Sequence, residues 1–241
     1  MAFLPSEDQK GFLKRLLTGW PDEVVAVAVE GFASQRESDP EVEAIVAKWL
    51  NGSDNPSLLR ASCSYWWLVK SRSAPAVKEE EIAAFERLAG HGDATVRRDL
   101  TPAVEAGATP DRPRMIGILL RLTQDKDSSV SWRAVRSLRN ANTSEVNAAL
   151  RELFKPDQPP HVRPAAIEVL GIFGKDKLPL ILTAAQEDKD PSVRQNAIYA
   201  LRKIGTPEAG EGLEAALQDS DEGVRREAQT QLGWFRNEHP Q

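Results

Sequence analysis

The chain is expected to fold as an all-α solenoid of about seven helix pairs. A helical pattern recurs at a near-constant interval, Asp, Pro, Gly and Ser punctuate each interval, and no period-two strand pattern competes. The clearest copy runs Asp190-Pro191-Ser192-Val193-Arg194, then Ala197, Ile198, Ala200, Leu201, Ile204 and Gly205. Equivalent anchors are Val25, Leu59, Val96, Val130, Val162, Val193 and Val224, separated by 34, 37, 34, 32, 31 and 31 residues. Steps of that size fit a two-helix repeat and exclude a heptad coiled coil. Counted from each anchor, apolar residues favour offsets 0, 4, 7, 8 and 11, the buried stripe of an amphipathic helix.

A first helix is expected before each anchor: Phe12 to Leu17, Val42 to Leu50, Ile82 to Leu88, Met115 to Leu120, Val146 to Phe154, Leu178 to Leu182 and Gly212 to Leu217. Gly174 and Gly205 stand where a left-handed C-cap is expected, and Thr206-Pro207-Glu208 reads as an N-cap with proline at the first helical position. Pro102 falls six positions past Val96, inside a second helix, and should kink that helix near Arg98 or break it. Residues 1–241 read as one solenoid domain, with degenerate repeats over 1–53, recognisable ones over 54–236 and a tail over 237–241.

Composition narrows the partners. A net charge of -5 argues against a dedicated nucleic-acid binder, although a local basic stripe would still permit one. Cys63, the single cysteine, has no mate for an internal disulfide, and residues 1–8 lack the basic and apolar regions of a signal peptide. A reducing cytoplasm is therefore the expected compartment. The longest aliphatic run, Val24 to Val29, is too short to span a bilayer, so no membrane partner is expected.

At residues 188 to 205 the pattern Asp-Pro-x-Val-Arg-x-x-Ala-x-x-Ala-Leu-x-x-Ile-Gly resembles the HEAT-repeat family, in the short subtype named after the phycobilisome lyases. The resemblance implies a right-handed solenoid whose second helices line a concave binding face. It also implies that the arginine after each anchor pairs with an aspartate six positions earlier, a spacing kept by Asp54/Arg60, Asp157/Arg163, Asp188/Arg194 and Asp219/Arg225. His91/Arg97 replaces the acid, and Asp125/Ser131 replaces the base.

No catalytic, metal or cofactor constellation is apparent. His91, His161 and His239 have no histidine or glutamate partner at helical ligand spacing, and the first two fall in turns, where a capping or solvated role is expected. HEAT-repeat deoxyhypusine hydroxylases bind two irons through His-Glu dipeptides, and this chain has none. Cys63 shares offset 4 with Ala134, Ala166, Ala197 and Ala228, a small buried slot. Trp66 and Trp67 are expected in the core, and Trp20 and Trp49 between repeats.

Offsets 2, 6 and 9 of the second helices should face the inner curve. From them, Tyr65, Arg98, Trp132, Arg136, Arg139, Tyr199 and Arg202 are the expected partner-binding residues, because Tyr, Trp and Arg dominate binding hot spots. Trp132 either belongs to a recognition patch or is covered by a neighbouring repeat. The expected function is a non-catalytic protein-binding scaffold or adaptor that grips an acidic segment of a partner. Two alternatives follow from the resemblance alone: an alkylpurine DNA glycosylase or other DNA-binding protein built of HEAT-like repeats, and a bilin lyase or chaperone-like subunit.

Overall fold

The computed structural model describes residues 6–36, 38–69 and 77–238; His239 lies outside them. Among the described residues there are fourteen α-helices and no β-strand. They gather into two compact units, Met1–Leu122 and Thr123–Gln241. The first holds α1 (Ser6–Arg15), α2 (Asp22–Gln35), α3 (Pro40–Gly52), α4 (Pro56–Leu68), α5 (Glu79–Leu88), α6 (Ala94–Gly107) and α7 (Pro113–Leu122). The second holds α8 (Ser128–Ser137), α9 (Ser144–Phe154), α10 (Arg163–Ile172), α11 (Leu178–Glu187), α12 (Pro191–Ile204), α13 (Pro207–Ala215) and α14 (Glu222–Glu238).

Within each unit the stacking order is that of a solenoid. Second helices pack on second helices, α2 on α4 on α6 in one unit and α8 on α10 on α12 on α14 in the other. First helices form a parallel layer, α3–α5–α7 and α11–α13. All seven anchors are buried, and so are Cys63, Ala134, Ala166, Ala197 and Ala228 at offset 4. Burial pushes the Cys63 thiol up to about 12, so it is a core atom rather than a nucleophile.

Small residues bring the second helices close. A Cβ on Gly171 of α10 would lie 2.3 Å from the Ala200 Cβ of α12, so only glycine fits at that crossing. Local signals set the helix ends. Asn55, Asp93, Asp127 and Asp190 accept the N–H two residues on and start α4, α6, α8 and α12. Gly205 closes α12 at φ 69°, and the Thr206 hydroxyl accepts the Ala209 N–H to start α13. Gly174 also has positive φ, but its ψ of -171° places it outside the left-handed helical cap expected there.

Pro102 neither ends nor divides its helix, since α6 runs unbroken from Ala94 to Gly107. A proline at 102 cannot donate to the carbonyl of Arg98, four residues back. The Thr101 hydroxyl donates to that carbonyl instead, at 2.8 Å, and Thr101 itself is buried.

Four expectations fail in the first unit. Ala61 and Tyr65, placed on the inner curve by their offsets, are both fully buried. The Tyr65 hydroxyl accepts the Asp39 N–H at 3.1 Å, Lys14 pairs with the Asp39 carboxylate at 2.9 Å, and Leu13 packs on Gly31. Residues from α1 and the α2–α3 turn thus occupy space that a regular repeat leaves open. Trp67 is exposed rather than core, whereas Trp66 is buried, donates to Glu81 and meets Phe85 edge-on at 5.2 Å. Trp20 is likewise exposed, while Trp49 is buried as expected.

Thr101→Val should cost about 1 kcal/mol in urea unfolding by removing the donor to the partly buried Arg98 carbonyl. That cost should shrink in a Pro102→Ala background, which restores a backbone donor. Gly171→Ala tests the crossing of α10 and α12. Helix propensity favours alanine by about 1 kcal/mol, whereas overpacking costs about 1–3 kcal/mol. A net fall in thermal midpoint is expected, recovered by adding Ala200→Gly.

Candidate binding face of the second unit

An arginine relay fixes the register of α10, α12 and α14. Arg163 donates to the Asp188 carboxylate, one repeat ahead. Arg194 makes a bidentate pair with Asp219 at 2.7 and 2.8 Å and also donates to the Asp188 carbonyl at 2.7 Å. Arg225 repeats the second contact, donating to the Asp219 carbonyl at 2.7 Å. The expected pairing with an aspartate six residues earlier is therefore corrected: Arg194 and Arg225 take that residue's carbonyl while the carboxylates of Asp188 and Asp219 serve the preceding repeat, and Arg163 takes the Phe154 carbonyl instead. The reason lies in the turn, where Asp188 and Asp219 each aim one carboxylate oxygen at the N–H two residues on, leaving the other to face backwards.

The irregular repeats keep the parts of this scheme that their side chains allow. His91 accepts the Asp93 N–H through Nδ1, as an aspartate would, and its carbonyl receives Arg97. Ser131 cannot reach an acid and instead shares a hydrogen bond with His161 at 3.0 Å. In the first unit Asp54 pairs with Arg87, while Arg60 and Arg98 both donate to Asp99. Burial raises the Asp99 carboxyl, but those two guanidinium groups hold it below the usual carboxylate range.

With the helices so spaced, Arg136, Glu168, Gln195, Asn196, Tyr199 and Glu227 line a groove of about 450 Å³ along α8, α10, α12 and α14. Trp132 stands on α8 with 37% of its surface exposed, and the Arg136 guanidinium lies 5.0 Å from its ring centroid. Arg136 also donates to Glu168 at 2.9 Å. Tyr199 has Arg202 and Lys203 each 5.6 Å from its ring. Arg202 is spent internally, donating to Gln231 at 2.6 Å and to Glu238 at 2.8 Å, with 11% of its side chain exposed. Gln231 passes the link on by donating to Glu227 at 2.8 Å.

Residues 117–180 and 157–233 match the family model for HEAT repeats. The repeats of this stretch are HEAT-like. The chain matches none of the curated proteins compared with it. Among solved structures it overlaps an engineered protein at 19% identity and TM-score 0.55, covering 94% of this chain and 68% of that one. That likeness is one of fold. Human deoxyhypusine hydroxylase in complex with glycerol overlaps at 16% identity and TM-score 0.41, over 96% of this chain and 97% of that one. A designed armadillo repeat protein in complex with the peptide (KR)4 overlaps at 14% identity and TM-score 0.44, over 95% and 99%.

Of the seven residues expected to bind a partner, Trp132, Arg136 and Tyr199 gather at the groove of the HEAT-like stretch. Arg139 is exposed beyond the end of α8. Arg98 belongs to the first unit and pairs with Asp99, Tyr65 is buried, and Arg202 is committed to Glu238. Asn196 and Glu227 were missed because both stand at offset 3, which the chosen offsets pass over. Among the described residues no group of three or more His, Cys, Asp or Glu side chains could hold a metal, and no helix is long and apolar enough to cross a membrane.

The relay makes stability depend on pH. The Arg194 guanidinium holds the Asp219 carboxyl below its ordinary value of 3.8. Its contribution is therefore complete above that value and is lost as pH falls through the lowered one. Asp219→Asn should cost about 3 kcal/mol in neutral urea unfolding, with the gap to the parent closing in acid.

Proposed function

We propose that the chain is a non-catalytic scaffold whose second unit holds a segment of a partner protein in the groove between α8 and α14. One observation carries this reading: Trp132, a large aromatic residue, stands exposed beside the groove with its ring against Arg136. Isolated exposed apolar residues are ordinary, but a tryptophan stacked with arginine at the mouth of a groove fits a binding hot spot. The lining supports a polypeptide ligand. The Gln195 carboxamide and the Tyr199 hydroxyl make no hydrogen bond to the described residues, so both are available to peptide groups.

The charge expected of the partner changes. Arg136 and Arg202 were to meet acid from outside, but Glu168 and Glu238 of the chain already meet them. That internal pairing also counts against a phosphate backbone as the ligand.

The test is capture from the native host with the full chain as bait. Trp132→Ala should lower recovery of the specific partner about tenfold or more while leaving the unfolding midpoint unchanged. Equal capture by parent and variant would reject the groove as the binding site.

A further inference from the structure

We infer that the groove of the second unit selects a basic side chain, lysine or arginine, from the segment it holds. The inference rests on the groove reading above and adds the ligand's charge. Two carboxylates, Glu168 and Glu227, line the groove against one guanidinium, Arg136. Arg136 and Glu168 neutralise one another at 2.9 Å. Glu227 receives a hydrogen bond only from the neutral Gln231 carboxamide, and no described cation lies within ion-pair distance of it. The groove thus presents one uncompensated carboxylate, with the unpaired Glu168 oxygen, the Gln195 carbonyl and the Tyr199 hydroxyl as further acceptors.

Nearby cations do not cancel that charge. Arg202 is paired with Glu238, and Arg226 with Glu222. Lys203 stands over the Tyr199 ring outside the groove lining. A half-buried carboxylate without a counter-ion favours a cation over a neutral side chain of equal length and repels an acid.

The probes are short capped peptides, Ser-Ala-Arg-Ala-Ser and its norleucine and glutamate counterparts, titrated into the full chain. Binding is read from the side-chain amide NMR signals of Gln195 and Asn196 and the indole signal of Trp132. The arginine peptide should shift these signals and bind about fivefold more tightly than the norleucine peptide, with the glutamate peptide weakest. Glu227→Gln should abolish the preference for arginine. Glu168→Gln, which releases Arg136, should move the preference toward glutamate. Equal shifts from all three peptides, or a preference that survives Glu227→Gln, would overturn the basic selectivity while leaving the groove as a peptide site. No shift from any peptide would also overturn it, and the Trp132→Ala capture would then judge the groove by itself.

Discussion

The near-contact of α10 with α12, where Gly171 meets Ala200, is the constraint on which the second unit depends. Helix pairs normally sit about 8–10 Å apart, and the lower end of that range requires small residues at the crossing. Gly171 and Ala200 supply them here, and offset 4 carries further small residues along the array, Ala134, Ala166, Ala197 and Ala228, all fully buried. Close second helices leave their remaining side chains no room to turn inward. Glu168, Gln195, Asn196, Tyr199 and Glu227 are thereby forced to a common surface, and that surface is the groove.

Arginine then converts spacing into register. Arg194, at the centre of the relay, spans two turns, taking the Asp188 carbonyl from its own and the Asp219 carboxylate from the next. Such charge-assisted, partly bidentate contacts are directional in a way that apolar burial is not. The relay is complete over the two 31-residue steps and lapses at Ser131, which stands where the neighbouring repeats carry arginine and meets His161 instead.

Much of this was legible in the residue pattern. The anchors, the offset-4 slot and the caps at Gly205 and Thr206 follow from local periodicity and turn chemistry, which report what a helix does with its own neighbours. The same pattern left Trp132 either exposed or covered. The failures share a cause of another kind. Tyr65 is buried because α1 and the α2–α3 turn fold over it, an event outside its own repeat. Arg202 is occupied because Gln231 and Glu238 on the next helix reach back to it. Thr101 supplies the donor that Pro102 lacks, a compensation visible only once the helix is known to continue. Offsets say which way a side chain leaves its helix, not what is waiting there.

The forward and backward reaches of the relay have a consequence for how this part of the chain can vary in length. From Arg163 to Asp188 and from Arg194 to Asp219 the reach is 25 residues, and from each aspartate to the arginine it serves through its carbonyl it is six. Together these make the 31-residue step. A short insertion in one of these turns puts an acceptor out of place for two repeats at once. Duplicating or excising one whole module regenerates both spacings. Growth and shrinkage here are quantised, and the unit of change is a helix pair rather than a loop.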